Sequence, residues 1–254
     1  MKYWFTLLFI STLFFASSCK KSDNAVIPDS GLDSLETNGY KFNYASLQMD
    51  GKSYVWKDDA SSYGSGNRLV NRKIESIEAY GVKLDKGDPD STLFSREYTL
   101  INDSSLVLKL IFSKKLAKKD CLQELWFFYP KDQLELFRPG LQNFATDFDR
   151  ENSYDGVGIE LTQREGDKIV TYSTYSLQFE SFPTSITNDS QDGSYFDITK
   201  LATIPRGEYI EATFKAKVFN LEEEVKSIDK GFLRLRIGSF DKQEDHSAVF
   251  QNRD

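Results

Sequence analysis

Apolar and polar residues fall along this chain in three regimes. From Tyr3 to Ala16 almost every residue is apolar; residues 20–39, KKSDNAVIPDSGLDSLETNG, show no apolar period; from residue 41 onward short alternating runs are broken by Gly, Asn, Asp and Ser. Alternation predicts strands, because successive side chains on a strand point to opposite faces and one face can be buried while the other stays wet. YIEATFKAKVF is the clearest case: Ile210, Ala212, Phe214, Ala216 and Val218 alternate with Glu211, Thr213, Lys215, Lys217 and Phe219. FNYASLQM and KSYVW flank Asp50-Gly51, and a two-residue Asp-Gly connection predicts a hairpin, since a type I′ turn needs positive φ at both positions. Further strands are predicted at IESIEAYGVKL, REYTLI, SLVLKLIF, GVGIEL, KIVTYSTYSLQFESF, SYFDITKL and GFLRLRI, with turns at Asn102-Asp103 and TNDSQDG. LQELWFFYP carries helical spacing at Leu122, Leu125, Trp126 and Tyr129 together with the β composition of WFFY, and stays open between the two; LEEEVKSI predicts one short helix. About ten short strands separated by turn signals predict an all-β fold, an antiparallel β-sandwich or open barrel. It occupies residues 41–254, as one domain or as two packed sub-domains.

The first regime predicts an address label. Fourteen residues rising about 1.5 Å each cover roughly 21 Å, short of the ~30 Å hydrocarbon thickness a spanning helix crosses. With Lys2 before it and small residues after it, the run reads as a secretory signal over residues 1–18. Ala16-Ser17-Ser18-Cys19 resembles a bacterial lipobox, whose cysteine becomes the lipidated first residue of the mature chain, and the CKKSD that follows resembles lipoproteins of the Bacteroidetes phylum. Several acyl chains on Cys19 would hold a membrane stably, where one chain gives only marginal binding. Residues 19–40 then read as a flexible tether with an end-to-end reach of about 25 Å.

Charge narrows the partners. With 39 acidic residues against 32 Lys and Arg the formal charge is −7, and removal of residues 1–18, which contain only Lys2, makes it −8. Nucleic acid is therefore not an expected partner, since affinity for phosphate backbones rests on clustered cations. SKKLAKKD, with four lysines between Lys114 and Lys119, predicts a solvated loop or helix start, or a contact for an acidic partner or headgroups. Once Cys19 is lipidated, Cys121 has no cysteine to pair with, so the fold stands on packing; Cys121 itself reads as a small core residue.

Candidate chemistry is sparse. His246, the only histidine, sits in the charged tail DKQEDHSA and offers neither a Ser-His-Asp triad nor a His-rich metal site. GxSxG, GxxxxGK[ST] and GxGxxG are absent, and Gly64-Ser65-Gly66 reads as a loop. Calcium is the one metal to test, because hard cations take oxygen ligands: Asn188, Ser190 and Asp192 with Gly193 approach the order of a calcium loop, but Thr199 stands where a bidentate Glu is needed. No cofactor is expected. A carboxylate pair for glycoside hydrolysis needs only the right separation, which spacing in sequence does not give. Sugar recognition uses exposed aromatic faces. Tyr172 and Tyr175, three apart in TYSTYS, lie on opposite faces of a strand, so that one points away from the core; with Trp56 and Tyr63 flanking the SSYGSGN loop they form a candidate glycan platform.

Two segments resemble a family. SLQMDGKSYVW near the start, and FDITKL followed by EYIEATFKAKVFN and KGFLRLRI near the end, are similar to Bacteroidetes lipoproteins in which an N-terminal DGK-aromatic hairpin and a C-terminal hairpin bracket a β-sandwich of unassigned function. Here Ala212-Thr213-Phe214 stands where the family has Gly-Thr-Phe. The resemblance implies a β-sandwich and no activity. The expected function is a non-catalytic, lipid-anchored cell-envelope protein on the periplasmic or outer surface of the outer membrane, binding a ligand or another envelope protein. The alternatives are a carbohydrate-binding accessory of a glycan-uptake system and, third, a carboxylate hydrolase.

Overall fold

The structure is a computed structural model and describes residues 43–58, 62–71, 76–79, 81–102, 106–204 and 207–238. Cys19 and His246 lie outside them. The described strands are β1 (Asn43–Met49), β2 (Lys52–Asp58), β3 (Ser62–Arg68), β4 (Ser76–Ala79), β5 (Val82–Asp85), β6 (Ser91–Ile101), β7 (Val107–Ala117), β8 (Leu122–Glu124), β9 (Phe127–Tyr129), β10 (Gly140–Gln142), β11 (Gly156–Glu165), β12 (Lys168–Ser173), β13 (Tyr195–Ile204), β14 (Gly207–Phe219) and β15 (Val225–Gly238). Asp50 and Gly51, at φ +52° and +74°, turn β1 into β2 as the Asp-Gly pair predicts. The alternation in β14 holds from Ile210 to Val218: Ile210, Ala212, Phe214, Ala216 and Val218 are buried and Glu211, Thr213, Lys215 and Lys217 between them are not, while Tyr209 and Phe219 on either side are buried too.

The strands form two antiparallel leaves that share a core. One leaf runs β2-β1-β15-β14-β13-β10 and the other β12-β11-β7-β6-β3; the single pair Ser173↔Phe219 joins β12 to β14. β2 and β3, at the two ends of this path, are separated in the chain only by residues 59–61. The sheet therefore rolls toward itself without a closing ladder between β2 and β3. Side-chain bonds stitch the leaves instead: Trp56 Nε1 donates to the Leu106 carbonyl at 2.9 Å and the Tyr98 hydroxyl to the Ile237 carbonyl at 2.8 Å.

Large rings fill the space between. Phe112 contacts Phe137 at 5.0 Å and Phe196 at 5.9 Å across the leaves, and Phe196 stacks on Phe214 at 5.6 Å. Phe214 lies opposite Gly231 on β15, and a Cβ at Gly231 would sit 2.4 Å from its ring. The glycine is there because the ring occupies its side-chain space.

Four sequence expectations change. Gly64-Ser65-Gly66, read as a loop, lies in strand β3 and pairs with Glu97, Arg96 and Ser95 of β6. LEEEVKSI is a hairpin connection: Asn220 donates to and accepts from Glu224, Glu223 sits at φ +62°, and β15 begins at Val225. The side-chain bonds of Asn220 close the turn before a helix can start. LQELWFFYP resolves into the β8–β9 hairpin, with Glu124 paired to Phe127. KIVTYSTYSLQFESF is a strand only to Ser173, because Thr174 leaves the ladder: its amide donates to the Ile159 carbonyl and its hydroxyl accepts from the Ile159 amide.

Candidate functional site

The predicted glycan platform does not form at three of its four positions. Trp56 is fully buried, its indole N–H used on Leu106. Tyr172 and Tyr175 are each 3% exposed, where alternation placed one of them in solvent. Tyr172 points into the shared core; the chain then leaves the strand, so Tyr175 folds back over the outer face of the second leaf, where Gly158 provides its seat and Phe148 meets it at 5.4 Å. Tyr63 is on β3 opposite Tyr98, and its side chain lies outside the described ones.

The calcium candidate is a turn in which Ser190 is already engaged. Asn188–Gln191 form a 3-10 turn, Ser190 Oγ accepts from the Thr187 amide at 2.9 Å, and Thr199, on β13, donates to the Glu211 carbonyl. Among the described residues no three His, Cys, Asp or Glu side chains converge in metal-binding geometry. Cys121 is half-buried rather than in the core, and burial followed by the neighbouring Asp120 charge holds its thiol above the ordinary range. Such a thiol carries little thiolate, the nucleophilic form.

Two carboxylates, Glu97 and Glu160, share Lys109 beneath the segments carrying Phe148 and Tyr175, which cover the outer face of the second leaf. Lys109 Nζ lies 3.0 Å from Glu160 and 3.4 Å from Glu97; Glu97 also pairs with Arg68 at 3.3 Å, and Arg68 reaches Asp149 and covers the Phe148 ring. The Tyr175 hydroxyl donates to Glu160, and burial followed by that carboxylate pushes its phenol far above the usual range. A small open pocket of about 180 Å³ is lined by Arg68, Leu69, Asp149 and Asn152. Lys109 and Arg68 bridge these acids across β3, β6, β7 and β11, so the arrangement ties strands to the covering segment, and the phenol is unsuited to proton transfer near neutrality.

Exposed apolar groups gather elsewhere. The turn of the β8–β9 hairpin consists of Leu125 and Trp126, 77% and 79% exposed, while Leu122, half-exposed, lies at the base of the hairpin opposite Tyr129. Leu125 has φ +54°, a region where Gly, Asn and Asp are the ordinary occupants. Below the tip the hairpin is fixed. Asn67 on β3 offers both ends of its amide to the Phe128 backbone, accepting from the amide at 2.8 Å and donating to the carbonyl at 2.5 Å, and Phe127 packs edge-on against Phe94 at 6.3 Å. Gln123 Nε2 donates to the Leu125 carbonyl at 2.8 Å. Lys118 lies over the Phe128 ring, and Lys119 and Lys131 are exposed nearby. A second exposed apolar group, Phe179 and Phe182, stands on a turn whose carbonyls are gathered by Arg150.

Sequence reasoning missed Leu125 and Trp126. In LQELWFFYP the exposed Trp126 and the inward Phe127 are consecutive apolar residues, and only the turn between them separates their roles. Comparison with protein-family models, curated proteins and solved structures gives no match for this chain.

Proposed function

We propose that this chain is a non-catalytic interaction module of the cell envelope, held at the outer membrane through Cys19 and docking through the tip of the β8–β9 hairpin. One observation carries the reading: a rigidly seated two-residue turn is built from Leu125 and Trp126, where turn chemistry favours small or polar residues. A non-glycine residue at positive φ is a strained choice, and two large exposed apolar side chains lower solubility. A docking role gives both features a use. The lipobox-like Ala16–Cys19 segment supports the envelope location, and the likeness to Bacteroidetes lipoproteins supports the same assignment.

Photo-crosslinking in intact cells tests this reading. A photoreactive residue at 126 is expected to yield adducts, and the same residue at Ile169, 71% exposed on β12, to yield few; equal yields at both positions would refute it. A glycan-binding reading also has a foothold, because the exposed Trp126 indole offers the flat face that sugars stack on. Glycan-array binding lost in Trp126→Ala would favour it over a docking tip.

A further inference from the structure

We infer that the Leu125–Trp126 tip inserts into the interfacial region of a lipid bilayer. This rests on the reading of the hairpin as the docking tip, and names its occupant.

Side-chain chemistry is the first argument. The end of the hairpin presents an indole beside Leu125, with Lys118, Lys119 and Lys131 set back from it. Trp is enriched at the headgroup level, where its ring is apolar and its N–H polar, while Lys keeps its ammonium in water above buried methylenes. A protein partner for Trp126 would have to offer a pocket; a bilayer needs none.

Geometry supplies the second. Asn43, where the described chain begins, accepts the Arg236 amide at 2.8 Å. Two residues on, Gly238 faces Arg96, whose Nη1 lies 4.0 Å from the position of a Cβ there. Arg96 in turn donates to Gln133, four residues after β9. The point where the tether predicted over residues 19–40 enters the fold is thus linked by contact to the end of the sandwich where the segment leaving the hairpin lies. An anchor at Cys19 would bring that end toward the membrane.

Asp120, Glu124 and Asp132 stand among the same lysines, so the patch is close to neutral. Insertion is therefore driven by apolar side chains and takes place on zwitterionic phosphatidylcholine as well as on anionic lipid, with weak salt dependence.

The test uses the full chain with Trp4→Phe, whose tryptophans are then Trp56 in the core and Trp126 at the tip, reconstituted into phosphatidylcholine vesicles with and without brominated acyl chains. Bromine quenching of about half the tryptophan emission is expected, and its loss in the same chain carrying Trp126→Phe, with Trp56 unquenched in both. Equal quenching in the two chains, or none in either, overturns the inference. Crosslinking from position 126 separates its failure from that of the docking reading: adducts to one protein without quenching leave the docking tip standing and remove the bilayer, whereas neither adducts nor quenching removes both.

Discussion

Replacing Leu125 with Asn should stabilise the protein while removing its docking. An L-residue in the left-handed region costs about 1–2 kcal/mol, and Asn escapes part of this through local hydrogen bonding. Against that gain stands the lost burial of Leu125, which is 77% exposed. A fully buried leucine contributes about 1.5–3 kcal/mol, so the buried quarter is worth about 0.4–0.7 kcal/mol. The balance favours Asn by about 0.5–1 kcal/mol, a rise of roughly 1–4 °C in Tm for a domain of this size. The gain reaches the whole fold because β9 is tied to β3 by Asn67 and to β6 by the Phe127–Phe94 contact. Urea denaturation of Leu125→Asn beside the parent, with amide exchange followed at Phe127–Tyr129, measures it. A loss of more than about 1 kcal/mol would refute the reasoning, since the Leu125 side chain would then be supporting the fold.

Two further outcomes follow from the packing and the charges. Gly231→Ala places a methyl 2.4 Å from the Phe214 ring, forcing the ring off Phe196, and should cost about 1–3 kcal/mol, read as a lower urea midpoint with unchanged slope. The Glu223 carboxyl is held below its ordinary value of 4.5 by the hydroxyls of Ser185 and Thr184; a depressed folded pKa adds stability that is present above the unfolded value and lost as pH falls through the folded one. Parent and Glu223→Gln should therefore differ most at neutral pH and converge below pH 4.5; a difference that widens in acid would contradict the hydrogen-bond account.

The strands were legible where one face is buried and the other wet. β14 follows its apolar alternation, and the Asp50-Gly51 turn follows from the demand for positive φ at two adjacent residues. Alternation failed where a strand ends without a composition change: nothing in TYSTYS marks Ser173 as the last paired residue, and the fate of Tyr175 depends on a seat supplied by Gly158 on the neighbouring strand β11. The LEEEVKSI segment misled because Glu222 and Lys226 have helical spacing, while the hairpin is set by Asn220 and by the long ladder between β14 and β15. The hairpin tip was hidden for a related reason. WFFY has the composition of a core strand, and only the pairing of Glu124 with Phe127 turns Trp126 outward.

Oxidative footprinting of Trp126, in the purified protein and in living cells, puts the docking claim to its most direct test. The account predicts heavy labelling of Trp126 in the purified chain, several-fold protection in cells, and an unlabelled Trp56 in both. Equal labelling of Trp126 in the two settings would contradict it.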